Sequence, residues 1–328
     1  MPIARPTVVA RQDACEEITG SRDILAIPGI AGTIGPQARA RETLFARDIA
    51  GGRAMTVGEA LLLGLLQGLT EFLPISSSAH LRIAGPLLSM GDPGAAFTAV
   101  IQIGTEAAVL LYFRKEIWWI VRAWLCQAVV RDETARTHVR LGWLIIVGTV
   151  PIAILGLLFK EAIEGVARNL YLTAIMLILF GLFLGWADER GRKDRPLVAL
   201  SWRDGFLLGL AQALALIPGV SRSGGTITAG LLLGYSRDAA ARYSFLLAVP
   251  AVLASGIFEL VTHWDTFRAH AALPTAIATI TAFASGFLVI IGFLRLVSSK
   301  GYLVFVYYRL LLGTFLLGLL LSGSISPV

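Results

Sequence analysis

Six long apolar runs decide most of what this chain can become. They cover roughly residues 96–113, 141–159, 170–187, 243–262, 273–297 and 302–322. Each reaches the about 17–25 residues that a helix needs to cross a bilayer. The runs are continuous and do not alternate at period two, which excludes a porin-like barrel. Only 15% of the residues are charged and 56% are hydrophobic, whereas a soluble domain carries roughly a quarter charged residues. The expected fold is all-α: a polytopic membrane protein with about six transmembrane helices.

Two further apolar segments do not fit that count. Residues 57–90 are interrupted at "LPISSSAHL" and residues 205–234 at "IPGVSRSGG". Each half is shorter than a span, and each break contains proline. Irregular backbone survives at membrane depth only where protein or a wet cavity satisfies its N–H and C=O groups. Two re-entrant helix–loop–helix pairs are therefore expected. The pairs also resemble each other, "GLLQGLTEFLPISSS" beside "GLAQALALIPGVSRS", and three spans follow each. This is the pattern of an inverted-topology repeat, whose broken helices meet near the membrane middle. The first repeat would run over about 56–187 and the second over about 205–322.

Charge gives the orientation. The segments 114–140, 188–204, 235–242 and 295–300 together hold 15 Lys and Arg. The opposite loops, 160–169 and 263–272, hold only Lys160, Arg168 and Arg268. By the positive-inside rule the basic loops face the cytoplasm, and both ends of the membrane domain lie outside. Residues 1–54 are rich in Arg, Gly, Pro and Ala and lack a long apolar run. Two readings of them stay open: a poorly ordered extension, or a start assigned upstream of Met55. Cys15 and Cys126 are the only cysteines, too few and too far apart for a disulfide framework. The four histidines form no zinc pattern.

The first break gathers reactive groups. Gln67 and Glu71 are four residues apart and share one helix face. Pro74 ends the helix; Ser76, Ser77 and Ser78 offer hydroxyls and a helix cap, and His80 lies in the next first turn. A carboxylate in such surroundings is costly unless paired or bound to metal. Glu71, the serine hydroxyls and the His80 imidazole suit hydrolysis, as metal ligand or base, nucleophile and acid. The second break, "PGVSRSGGT", suits an anion: Gly219, Gly224 and Gly225 permit close backbone approach, and Ser221, Ser223 and Thr226 add hydroxyls. Helix N–H groups follow, and Arg222 adds a planar cationic fork matched to phosphate. Together the two breaks would form a site for a phosphate-bearing substrate presented from the lipid phase.

The motifs "QGLTEFLPISSSAHL" and "PGVSRSGGTITAGLLLG" resemble the two signature regions of bacterial undecaprenyl-diphosphate phosphatases of the bacitracin-resistance type. The resemblance extends over roughly residues 56–322. It implies metal-dependent hydrolysis of the C55 diphosphate carrier to its monophosphate and inorganic phosphate, at a site open to the outer face of the bacterial inner membrane. It also implies recycling of the carrier for peptidoglycan synthesis. Carried over by motif, it implies catalytic roles for Glu71, Ser77, His80 and Arg222. Substrate contacts fall to Ser76, Ser78, Ser221, Ser223, Gly224 and Thr226. A divalent cation, Mg²⁺ or Ca²⁺, would sit on Glu71 and Gln67. The chain departs from the motif at its first Glu, which is Gln67 here, and at Ala79 in place of Gly. Gln67 keeps a carbonyl ligand but brings no charge. Glu106, one turn after Gln102 inside the first span, is an extra candidate for that charge; its other reading is a buried acid paired with a basic group, for which Arg309 is one candidate.

The nucleophile stays open among Ser77, His80 and a water activated by Glu71. The expected partners are a polyprenyl diphosphate lipid and the membrane, with no nucleic acid; a homodimer is compatible with the sequence. Two rivals remain. A lipid-phosphate transporter would use the same broken helices without an acid, base or nucleophile. An anion channel would need a file of basic residues, for which only Arg222 and Arg309 qualify.

Overall fold

The computed structural model describes residues 55–88, 90, 93–127, 132–165 and 169–327. Residues 1–54, with both readings of their role, lie outside the described residues. Among those described, the chain is helical and contains no strand, only an isolated bridge between Arg195 and Tyr235.

A capping box starts α1 (Val57–Glu71): Thr56 Oγ1 accepts from Glu59 N at 3.2 Å, and Glu59 Oε2 accepts from Thr56 N at 2.7 Å. The helix stops at Glu71 because Pro74 follows within a turn, and α2 (Ser77–Leu87) resumes after it. The first three spans are α3 (Ala95–Tyr112), α5 (Glu133–Leu158) and α7 (Leu170–Arg190). Between them lie α4 (Arg114–Leu125) and the short α6 (Lys160–Glu164). The second broken pair is α8 (Trp202–Ala213) and α9 (Arg222–Leu232), followed by α10 (Arg237–Thr262), α11 (Ala272–Lys300) and α12 (Leu303–Leu321).

Among the described residues, six helices, α3, α5, α7, α10, α11 and α12, are long and apolar enough to cross a membrane. The four helices of the broken pairs have 11–15 residues, or about 17–22 Å each at 1.5 Å per residue. None alone reaches across about 30 Å of hydrocarbon. Large apolar side chains such as Leu157, Leu288, Leu311 and Leu321 are at least 70% exposed, a surface suited to lipid rather than water.

Two starts lie earlier than hydropathy indicates. α5 begins at 133 rather than 141 because Asp132 caps Ala135 N at 3.2 Å, and α10 begins at 237 rather than 243 because Ser236 caps Ala239 N at 3.2 Å. Helix extends into charged sequence wherever a cap is supplied. The segment 114–140, read as a loop, holds the helix α4.

Packing is reciprocal between the two halves. α1 lies along α11, and α8 lies along α5; α3 packs on α10, and α7 on α12. Close approach at α11 relies on missing side chains. A Cβ on Gly68 of α1 would lie 2.6 Å from the Ala282 carbonyl oxygen, and one on Gly104 of α3 would lie 2.1 Å from that of Thr279. The same helix thus draws in the two helices that carry Glu71 and Glu106. At the basic end, Asp188 ties three elements together. It accepts from Arg237 Nε at 2.6 Å and Nη2 at 3.1 Å, and from Tyr302 N at 3.0 Å.

Candidate active site

The two breaks share a backbone device. Ser76 and Ser221, 145 residues apart, both have φ +72°. Each side chain folds forward onto the helix that follows: Ala79 N donates to Ser76 Oγ at 3.4 Å, and Gly224 N to Ser221 Oγ at 3.1 Å. Each hydroxyl also meets the serine two residues on, Ser76 with Ser78 and Ser221 with Ser223, both at 3.2 Å. A positive φ strains a non-glycine residue, and the cap offsets that strain by satisfying an orphan N–H.

Glu71 stands where α1 ends, with its side chain only 3% exposed. Its Oε2 accepts from Gln67 Nε2 at 2.7 Å and from Ser77 Oγ at 2.5 Å. Its Oε1 pairs with Arg222 Nη2. The spacing of Gln67 and Glu71 thus acts as expected, one turn apart on one face. Arg222 also donates from Nη2 to Glu106 Oε1 at 3.1 Å. The first-turn arginine of α9 therefore bridges carboxylates from α1 and α3. The alternative pairing of Glu106 with Arg309 is replaced by this one.

Several polar atoms here are buried without a hydrogen-bond partner among the described residues: Gln67 Oε1, Glu106 Oε2, Arg222 Nη1 and Thr226 Oγ1. Thr226 is one turn after Arg222, on the same face of α9. Buried unpaired groups are costly, and their concentration around one carboxylate–arginine cluster marks a place prepared for a ligand.

The second loop is bound to the first through backbone carbonyls. Ser223 Oγ lies 3.2 Å from the Leu73 carbonyl oxygen. Arg309 of α12, fully buried, uses all five of its N–H donors. Nε donates to Leu177 O at 3.1 Å; Nη1 to Pro74 O at 2.9 Å and Val220 O at 3.1 Å; Nη2 to Met176 O at 3.2 Å and Gly219 O at 2.7 Å. Pro74 belongs to the first break, Gly219 and Val220 to the second. Gly224 is small for the same reason, since a Cβ there would lie 3.0 Å from Arg309 Nη1.

His80 has both ring nitrogens engaged. Nδ1 lies 2.7 Å from the Ser76 carbonyl oxygen and Nε2 lies 2.7 Å from the Tyr308 hydroxyl. A carbonyl only accepts, so Nδ1 carries the proton. The Tyr308 ring also stacks on the imidazole, with centroids 5.6 Å apart.

Sequence reasoning missed Tyr308; of the alternative it offered for Glu106, a buried acid paired with a basic group, the pairing holds but with Arg222 in place of Arg309. The available signal was the cost of an arginine inside an apolar run, which demands partners within the protein. Of the residues named from sequence, Gln67, Glu71, Ser77, Glu106 and Arg222 come together. Ser76, Ser78, Ser221 and Ser223 shape the two loops around them. His80 is directed to Ser76 and Tyr308.

A fold of six apolar helices, with two broken helix pairs meeting at a buried carboxylate–arginine–hydroxyl centre, defines a multi-pass membrane protein with a polar site inside it. The chain belongs to the bacitracin resistance protein BacA family, whose model matches residues 60–315. Undecaprenyl-diphosphatase 2 of Agrobacterium fabrum is 61% identical over 269 residues, covering 82% of this chain and 97% of the relative. Undecaprenyl-diphosphatase of Paenarthrobacter aurescens is 55% identical over 272 residues, covering 82% and 98%. That of Micrococcus luteus is 55% identical over 276 residues, covering 83% and 100%.

Proposed function

We propose that this chain hydrolyses undecaprenyl diphosphate to undecaprenyl phosphate and inorganic phosphate, recycling the lipid carrier for peptidoglycan synthesis and conferring bacitracin resistance. The single observation that carries the reading is the 2.5 Å hydrogen bond from Ser77 Oγ to Glu71 Oε2, on a carboxylate that also holds Arg222. A hydroxyl within reach of a base, beside a guanidinium, is the arrangement of an activated nucleophile at an anion site. A transporter has no use for the first of these.

In this reading Arg222 binds the terminal phosphate through its unpaired Nη1, and Thr226 Oγ1 donates to the same group. Ser77 Oγ attacks the terminal phosphorus while its proton passes to Glu71. The bond from that phosphorus to the bridging oxygen breaks, and the lipid monophosphate leaves with the proton from Glu71, which is again a carboxylate. Water, deprotonated by Glu71, then attacks the phosphoserine; the P–Oγ bond breaks, releasing inorganic phosphate and restoring Ser77. His80 acts through its loop, holding the Ser76 carbonyl beside the nucleophile. Ser221, Ser223 and Gly224 shape the anion loop, and Ser76 and Ser78 the nucleophile loop.

The residues present fit a divalent cation, Mg²⁺ or Ca²⁺. Gln67 Oε1 is a buried oxygen without a partner, and Glu71 has used three of its four acceptor positions, an all-oxygen donor set of the kind hard cations take. Gln67 and Glu71 would hold the ion, which supplies positive charge to the phosphate oxygens when bound. The reciprocal packing of α1 on α11 and α8 on α5 supports an inverted repeat. The excess of Lys and Arg at the opposite end supports a site facing outward from the bacterial inner membrane.

The test is phosphate release from polyprenyl diphosphate by the detergent-purified full chain, with and without EDTA. The expected result is release by the native chain, loss in EDTA, and a fall of about 10³-fold or more for Ser77→Ala. A folded native chain that binds the lipid diphosphate yet releases no phosphate would overturn the reading in favour of transport.

A further inference from the structure

Glu106 sits midway along α3, fully buried. One oxygen faces Arg222 and the other faces no donor. We propose that Glu106 is a ligand of the divalent cation, supplying from α3 the second carboxylate that the first helix lacks because position 67 is glutamine. The inference rests on the hydrolytic reading above and adds a residue to it.

Three observations carry it. First, Glu71 and Glu106 share one nitrogen, Arg222 Nη2. Two acceptors on one donor lie no more than about 6 Å apart. A modest movement brings that separation to the span of a cation with oxygen ligands at about 2.0–2.6 Å. Second, the free oxygens are of one kind. Gln67 Oε1 and Glu106 Oε2 are both acceptors, both on fully buried residues and both without a partner. A cation satisfies both atoms at once.

Third, the charges match a dication. With both carboxylates ionised, Glu71, Glu106 and Arg222 sum to one negative charge in a site where Arg222 is 14% exposed and the carboxylates 3% and 0%. Here the excess charge is matched to a dication, and Arg222 keeps Nη1 free for the phosphate. When Arg222 turns toward the substrate, both carboxylates become available to the metal.

The test uses Mn²⁺ as the probe, its binding to the detergent-purified full chain followed by electron paramagnetic resonance, alongside phosphate release. Glu106→Gln is expected to weaken Mn²⁺ binding tenfold or more. The double exchange Gln67→Glu with Glu106→Gln, which returns the charge to α1, is expected to restore both binding and release. Glu106→Asp serves where the glutamine variant fails to fold, and is expected to bind Mn²⁺ with intermediate affinity. Wild-type Mn²⁺ affinity in the folded Glu106→Gln or Glu106→Asp protein overturns the inference. A double exchange as poor as the single variant overturns it equally. A native chain that releases no phosphate at all overturns instead the hydrolytic reading on which it rests.

Discussion

The two broken helices are alike in backbone and opposite in chemistry. Both breaks turn on a serine at φ +72° whose hydroxyl caps the next helix and meets a second serine. Between the paired serines stands Ser77 in one loop and Arg222 in the other. One turn before the first break is Glu71; the equivalent position in the second is Leu216, 145 residues on. The shared device places two side chains at facing helix N-termini, and in the proposed reading the unlike residues at those places serve as a nucleophile on one side and an anion receptor on the other. Symmetry supplies the frame, and its violation supplies the site.

The most severe way to break this complementarity is to remove the cation. Arg222→Ala is expected to lower phosphate release by about 10³-fold or more, the scale of losing an arginine that neutralises a transferring phosphoryl group. It also leaves Glu71 and Glu106 without their counter-ion, so thermal midpoints in detergent should fall too. Glu71→Gln should cost about 10²–10⁴-fold in rate, because the amide keeps the shape but accepts no proton. The midpoint should fall too, because the amide turns an N–H toward donors that Glu71 accepts from, Gln67 and Ser77 on one oxygen or Arg222 on the other. Near-normal turnover in either variant would break the division of labour between the loops.

Arg309 tests whether the two breaks are held as a unit. Arg309→Met strips donors from five carbonyls in three elements, and each hydrogen bond to a charged group contributes about 1.5–3 kcal/mol. A loss of several kcal/mol in detergent unfolding is expected, with a drop in kcat because Pro74 and Gly219 lose their common clasp. Arg309→Met with normal stability and lowered activity would instead move Arg309 from frame to chemistry.

The shared backbone predicts equal behaviour at Ser76 and Ser221. Alanine at either keeps the strained φ and loses the cap, at about 1–2 kcal/mol. Glycine loses the cap but relaxes the backbone, at a few tenths. Parallel results at both positions would sharpen the likeness; opposite signs would break it.

How much of this was legible depended on which groups carry a signal. The spans follow from apolar run length, and the breaks from Pro74 and Pro218 within otherwise helical segments. The gathering of Glu71, Ser77 and Arg222 followed from the cost of placing such groups in an apolar environment. α4 escaped notice because its charges and tryptophans read as a loop rather than as a helix lying against the bundle. The partners of Arg309 were illegible for a different reason: all five are backbone carbonyls, which every residue possesses. Glu106 and Arg222 are 116 residues apart, and with two intramembrane arginines to choose from, only the packing of α3 beside α1 against α11 selects between them.

The mildest contrast lies one turn further back, at Gln67 and Gln212. Both are fully buried. Gln67 donates to Glu71 at 2.7 Å and keeps only its oxygen free. Gln212 has Leu216 rather than a carboxylate four residues on, and neither its nitrogen nor its oxygen has a partner among the described residues. A buried amide left unsatisfied destabilises, so replacing it with an apolar group of similar shape is near neutral or favourable. Gln212→Met should therefore leave the thermal midpoint unchanged or slightly raised, with phosphate release intact. Gln67→Met should cost about 1.5–3 kcal/mol, the value of a hydrogen bond to a charged group, and should lower release as Glu71 loses its brace. Equal damage from both would mean that the second loop uses its glutamine for substrate as well, and the asymmetry argued for the two breaks would stop at the loops themselves.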